Sequence, residues 1–121
     1  LHRILRFRHW FCKDFDKYTD NEEALPFDQH ELLALIAPRP LYVASAAGDV
    51  WADPKGEFLA AAEASRVYAL YGLEGLSVDG MPSVGGPLHG GCVGYHIREG
   101  KHDVTPLDWR HFISFANKHL K

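Results

Sequence analysis

Leu41-Tyr42-Val43-Ala44-Ser45-Ala46-Ala47-Gly48-Asp49-Val50-Trp51-Ala52-Asp53-Pro54 is the stretch from which the rest of the chain can be read. The run Leu41 to Ala46 is short and apolar, bounded by Pro40 before it and Gly48 after it, as a strand should be. It shows no polar alternation, which predicts a parallel strand buried on both faces. Asp49 falls just beyond the strand's C-terminal end. Asp53 followed by Pro54 supplies a helix cap and a proline at the first helical position, predicting an alanine-rich helix over Lys55 to Tyr71.

Working outward, Pro26-Phe27-Asp28-Gln29-His30-Glu31 opens an earlier helix. Asp28 and Glu31 have the three-residue spacing of a capping box. Leu32, Leu33, Leu35 and Ile36 continue that helix until Pro38 and Pro40 stop it. Residues Leu1 to Tyr18 carry Phe7, Trp10, Phe11, Phe15 and Tyr18 and read as an irregular or partly helical entry. On the other side, Gly72 to Gly91 is rich in glycine and proline and reads as a long loop. Val93 to Ile97 is a second strand, and Gly100-Lys101-His102-Asp103 is a turn. Thr105-Pro106-Leu107-Asp108 caps a last helix whose apolar residues, Trp109, Phe112, Ile113, Ala116 and Leu120, recur at helical spacing.

Strands alternating with helices favour a parallel sheet with helices on both sides, and ligands in such sheets sit beyond the strand C-termini. Asp49, Trp51 and His102 all fall there. An acid after one strand and a histidine after the next is the order in which an α/β-hydrolase delivers the last two members of its Ser…Asp/Glu…His triad. The nucleophile comes earlier in that order. Here the serines are Ser45, Ser65, Ser77, Ser83 and Ser114, and none stands in a G-x-S-x-G elbow. The expectation is an α/β chain that is the C-terminal portion of an α/β-hydrolase. It would be the parallel end of a three-layer sandwich, one segment over residues 1–121, incomplete without its nucleophile-bearing N-terminal part.

Composition narrows the alternatives. With 121 residues, 46% hydrophobic and 24% charged, the chain is an ordinary globular sequence, but it offers few strands for an isolated sheet domain. A net charge of -3 and the lack of a long basic run disfavour nucleic acid as a partner. The longest apolar stretch, Leu32 to Ala37, is too short to span a membrane. Cys12 and Cys92 do not fix the redox compartment.

Several blocks together resemble the bacterial branch of the glucuronoyl esterases, carbohydrate esterase family 15. They are Trp10-Phe11-Cys12 with Phe15 and Tyr18, Leu25-Pro26-Phe27-Asp28-Gln29-His30, Leu35-Ile36-Ala37-Pro38-Arg39-Pro40-Leu41, Asp49-Val50-Trp51-Ala52-Asp53-Pro54, Gly94-Tyr95-His96-Ile97-Arg98 and Lys101-His102-Asp103. The resemblance implies an α/β-hydrolase fold. It implies cleavage of the ester between 4-O-methyl-glucuronic acid of glucuronoxylan and lignin alcohols. It also implies a secreted or periplasmic enzyme that needs no metal or organic cofactor. His102 matches the family's catalytic histidine, Asp49 an acid found after the penultimate strand in many bacterial members, and Trp51 a tryptophan that lines the sugar pocket. Some members carry the acid, or a second one, after the preceding strand. The family's serine and oxyanion arginine lie in a G-C-S-R-x-G-K elbow that these 121 residues do not contain.

Competing residues are better explained otherwise. Asp53 serves as a helix cap, and Asp103 points away if His102 points in. Asp28 and His30 are accounted for by capping. His89, Cys92, His96 and His102 match no standard zinc spacing. Trp10 and Trp109 read as core residues. Within enzymes the rival reading is another α/β-hydrolase, such as an acetyl-xylan esterase or a peptidase. The rival of a different class is a non-catalytic fragment or interaction module.

Overall fold

The computed structural model describes residues 7–76, 80–89 and 91–120. Its centre is a two-stranded parallel sheet in which β1 (Leu41–Ala46) pairs with β2 (Val93–Arg98) in the register Leu41↔Val93 through Ala46↔Arg98. Among the described residues three α-helices accompany it: α1 (Gln29–Ala34), α2 (Pro54–Leu70) and α3 (Pro106–His119). Three short 3₁₀ helices, Arg8–Trp10, Lys13–Tyr18 and Glu22–Ala24, form the entry segment.

Strand alternation sorts β2 onto two layers. Val93, Tyr95 and Ile97 join Leu41 and the α2 residues Phe58, Ala61 and Tyr68 in the core. Next to them along the strand, Gly94, His96 and Arg98 turn to the other face, where α3 brings Asp108 and Phe115. Gly94 is required there, because a Cβ would come within 2.4 Å of the Tyr42 ring on the neighbouring strand. The result is helix, sheet, helix, with the Tyr95 hydroxyl donating to Pro54 O at 3.2 Å and the Tyr68 hydroxyl to Arg39 O at 2.6 Å.

The helix starts follow the expected chemistry. Asp28 N donates to Glu31 Oε2 at 2.8 Å, one half of the α1 capping box. Asp53 adopts φ 62° and accepts from Gly56 N at 3.1 Å, with Pro54 opening α2. Thr105 N donates to Asp108 Oδ2 at 2.6 Å at the start of α3.

Four details differ from the sequence reading. α1 ends at Ala34, and separate turns carry the chain from there to Pro40. β1 is half-buried at Tyr42, Val43 and Ala44, and it is β2 whose every residue is buried. The difference follows from the edges. Among the described residues nothing pairs with the second edge of β1, whereas Leu88 bridges Tyr95 and Gly85 N donates to Ile97 O at 2.8 Å along the outer edge of β2. So part of the long loop runs as a cover for the strand. Trp10 and Trp109, read as core, are 57% and 58% exposed. The α3 face turned to the sheet carries Asp108, His111, Phe112 and Phe115, which leaves Trp109 and Ile113 outside.

Candidate active site

Parallel pairing with Ala46 opposite Arg98 makes the two strands end together, so the turns that follow them lie side by side. Ala47 N donates to Arg98 O and Gly48 N to Gly100 O, both at 2.8 Å. The approach is so close that a Cβ on Gly48 would stand 2.6 Å from Gly100 O. The next residue after this join is Asp49 on one turn, and two residues past Gly100 comes His102 on the other.

Those two side chains meet. His102 Nδ1 lies 2.6 Å from Asp49 Oδ2. A carboxylate accepts, so Nδ1 is the donor to Asp49, and in the neutral imidazole Nε2 then holds the lone pair, directed elsewhere. Asp49 is 12% exposed at its side chain and His102 85% exposed. The acid is therefore seated while the imidazole stands free on its outer side, the arrangement of a base waiting for a proton donor. Beside it lies a cleft of about 650 Å³ bordered by Tyr42, Asp49, Arg98, His102, Asp103 and Phe112. A wider concavity of about 1040 Å³ lies along α2, between Asp28, His30 and Glu63, away from the histidine. His30 Nδ1 and Asp28 Oδ2 are 3.9 Å apart on its exposed rim.

The competing acids are occupied. Asp103 Oδ1 accepts from Val104 N at 2.8 Å, and Asp53 caps α2. Ser45 is buried and its hydroxyl donates to Glu57 Oε2 at 2.6 Å; Ser65 is buried and donates to Ala61 O at 2.9 Å. Ser83 and Ser114 are exposed, and Ser77 lies outside the described residues. Trp51 shares the turn with Asp49 and is 47% exposed. Its ring meets Phe7 and Trp10 edge-on, at centroid separations of 5.7 and 6.2 Å, and Phe7 and Trp10 stack at 4.5 Å. The three rings make an aromatic shelf on the turn that carries Asp49. Cys12 is exposed and Cys92 half-buried, and both are free thiols. Among the described residues no three His, Cys, Asp or Glu side chains group as ligands for a metal ion.

Behind the histidine turn lies a buried polar network. Arg98 is 5% exposed and Asp108 3% exposed. Arg98 Nε donates to Asp108 Oδ2 at 2.8 Å and to Oδ1 at 3.1 Å. His96 Nε2 donates to the same Oδ1 at 2.8 Å, and the Tyr42 hydroxyl then donates to His96 Nδ1 at 3.0 Å. Burial alone would raise the Asp108 carboxyl, but the Thr105 N–H, His96, the Thr105 hydroxyl and Arg98 together hold it well below the usual carboxylate range. Burial, with the Asp108 charge second, pushes the Tyr42 phenol well above its ordinary value, which keeps it a donor.

The family model described as "Glucuronyl esterase, fungi" matches residues 1–72. The chain belongs to the glucuronyl esterase family. It is similar to carbohydrate esterase MZ0003 of an unknown prokaryotic organism, 51% identical over 94% of this chain and 26% of that protein. It is also similar to 4-O-methyl-glucuronoyl methylesterase 1 of Wolfiporia cocos, 35% identical over 66% of this chain and 19% of that protein. Among solved structures it superposes on a glucuronoyl esterase from Solibacter usitatus with a TM-score of 0.92 at 51% identity, covering 99% of this chain and 30% of that one. A second, from Teredinibacter turnerae, gives a TM-score of 0.85 at 40% identity over 94% and 28%. The chain thus spans less than a third of the length of each of these relatives.

These likenesses bear out the α/β-hydrolase expectation and the resemblance drawn from the motif blocks. In this glucuronyl esterase segment Asp49 and His102 meet at 2.6 Å, and Trp51 stands on the Asp49 turn with its ring against Phe7 and Trp10. Sequence reasoning missed Arg98, Asp108, His96 and Tyr42 as one network. The available signal was a histidine and an arginine two apart on an otherwise apolar strand, both on the face opposite the core residues.

Proposed function

We propose that the protein carrying this segment is a serine carboxylic-ester hydrolase acting on the ester between 4-O-methyl-glucuronic acid of glucuronoxylan and lignin alcohols. The single observation that carries the reading is the 2.6 Å contact between His102 Nδ1 and Asp49 Oδ2 at adjacent strand ends, in a chain of this family. A serine from a part of the protein outside these 121 residues is the nucleophile. Its Oγ attacks the uronate carbonyl while its proton passes to His102 Nε2, and Asp49 holds the imidazolium that forms. Collapse of the tetrahedral oxyanion expels the alcohol, which takes the proton from Nε2. Water then repeats the sequence on the acyl-enzyme and releases the free uronate. No step calls on a cofactor. Trp51 and the rings beside it offer a flat apolar face and an indole N–H for the sugar.

A secreted or periplasmic location fits a polysaccharide substrate; among the described residues no helix is long and apolar enough to cross a membrane. The full-length protein is expected to release the alcohol from a benzyl glucuronate ester. His102→Ala should lower kcat by at least ~10³-fold, the scale for losing a triad base. A loss below tenfold removes His102 from the mechanism, and no turnover of any uronate ester by the full-length protein rejects the reading.

A further inference from the structure

The ring of His102 is almost wholly exposed, so little packing orients it from above. What fixes it lies beneath, in the backbone of its own turn. Arg98 Nη1 donates to Glu99 O at 3.0 Å and to Lys101 O at 3.3 Å; Nη2 donates to Lys101 O at 3.3 Å and to Asp103 O. Gly48 N takes Gly100 O from the other side. The carbonyls of residues 99, 100, 101 and 103 are thereby pinned, on both sides of His102. The guanidinium is held by its remaining N–H, which forks onto both Asp108 oxygens, and Asp108 is in turn fixed at the start of α3 by Thr105 and His96.

We propose that Arg98 is a positioning residue for His102, aimed by Asp108, so that α3 sets the angle at which the imidazole faces Asp49 and the substrate. Arg98 borders the cleft but is only 5% exposed, and its N–H groups are spent on Asp108 and on the carbonyls of the turn, so it acts through them. It is a different residue from the oxyanion arginine that the resemblance assigns to the serine elbow. Its planar fork is what the task requires: one edge reads a carboxylate while the other gathers three backbone carbonyls. A lysine ammonium, a point charge with no plane, cannot do both.

The inference rests on His102 acting as proposed above, and its test separates the two. Arg98→Lys and Asp108→Asn are made in the full-length protein, with Asp108→Asn keeping shape and the hydrogen bonds to Thr105. On a benzyl glucuronate ester, Arg98→Lys should lower kcat about 10- to 100-fold, the scale for misplacing a reacting group by about an ångström, with KM within about twofold. Asp108→Asn should act in the same direction and less. Independently of any substrate, the deshielded proton shared by His102 Nδ1 and Asp49 should be visible by proton NMR in the wild type and shifted or lost in Arg98→Lys. If the wild type shows that proton but hydrolyses no uronate ester, the function fails and the NMR comparison still decides the clamp. The positioning role is overturned if Arg98→Lys melts lower yet keeps kcat within twofold and leaves the proton signal in place. It is also overturned if both variants fail to fold, since Arg98 and Asp108 would then be structural alone.

Discussion

Trp51 shows how much one position can be asked to do. It follows Asp49 by two residues on the turn after β1, half-exposed, with Phe7 and Trp10 packed edge-on against it. A sugar ring presents C–H patches and hydroxyls, which suit an indole face and its N–H. If Trp51 takes the uronate, losing its ring and one hydrogen bond amounts to roughly 1–3 kcal/mol, or about 5- to 150-fold in kcat/KM. Trp51→Ala in the full-length protein is therefore expected to impair a methyl glucuronate ester far more than p-nitrophenyl acetate. Equal losses on both would make the residue a support for the aromatic shelf and nothing more. Arg98 is its opposite among single residues. It is buried and charge-paired, so removing one partner and leaving the other alone is destabilising by roughly 3–5 kcal/mol in comparable buried pairs. Lysine is accordingly the informative replacement there.

Between elements, the contact of α3 with the sheet is made largely of histidine and aromatic rings. His111 lies 4.6 Å from His96 and 5.9 Å from His89, centroid to centroid, and His89 faces Phe115 at 6.2 Å. Burial lowers both His89 and His111 from the ordinary histidine value. Lys118 and His96 add to this at His89; His96, His89 and Arg110 add to it at His111, where Asp108 opposes. The sign follows directly. With the folded value below the unfolded one, near 6.5, the unfolded chain binds more protons, so this stabilisation is complete above that pH and lost as pH falls through it. Asp108, also lowered, contributes above about 4 and is lost only at more acid pH. The melting temperature of the full-length protein should thus begin to fall between pH 7 and 5.5 and fall again below pH 4. His111→Phe should shallow the first fall, and parallel curves for variant and wild type would sink the assignment. This interface is also where sequence reading ran short. Pro40 and Gly48 bracket β1 and Pro54 opens α2, all local signals, so those elements and the Asp49–His102 meeting point were legible. The inner face of α3 was not, because Asp108 and His111 are polar and periodicity chose Trp109 and Ile113 instead. Their burial depends on partners ten or more residues away, which no local pattern records.

Across the whole molecule, the two edges of the sheet are treated differently. Along β2 the loop of residues 80–89 supplies Leu88 N to Tyr95 O at 2.7 Å and takes Tyr95 N at 2.8 Å, so that edge is closed. Along β1 the second edge is unpaired among the described residues, and Tyr42, Val43 and Ala44 are only half-buried. An open edge carrying apolar side chains is a template for pairing with another strand. In relatives of which this chain spans about 30%, there is ample further chain to fill that role. The 121 residues produced alone are therefore expected to self-associate, and to hydrolyse no benzyl glucuronate even with Asp49 and His102 in contact, for want of a nucleophile and oxyanion donors. In the longer protein of the proposed function, the same residues should be monomeric and active together, because one event would close the β1 edge and complete the proposed triad. Size-exclusion chromatography with a thermal melt tests the first part, and turnover before and after joining tests the second. A monomeric, cooperatively melting segment would mean that β1 needs no neighbour, and turnover by it that is abolished in His102→Ala would mean that a nucleophile lies within these residues after all.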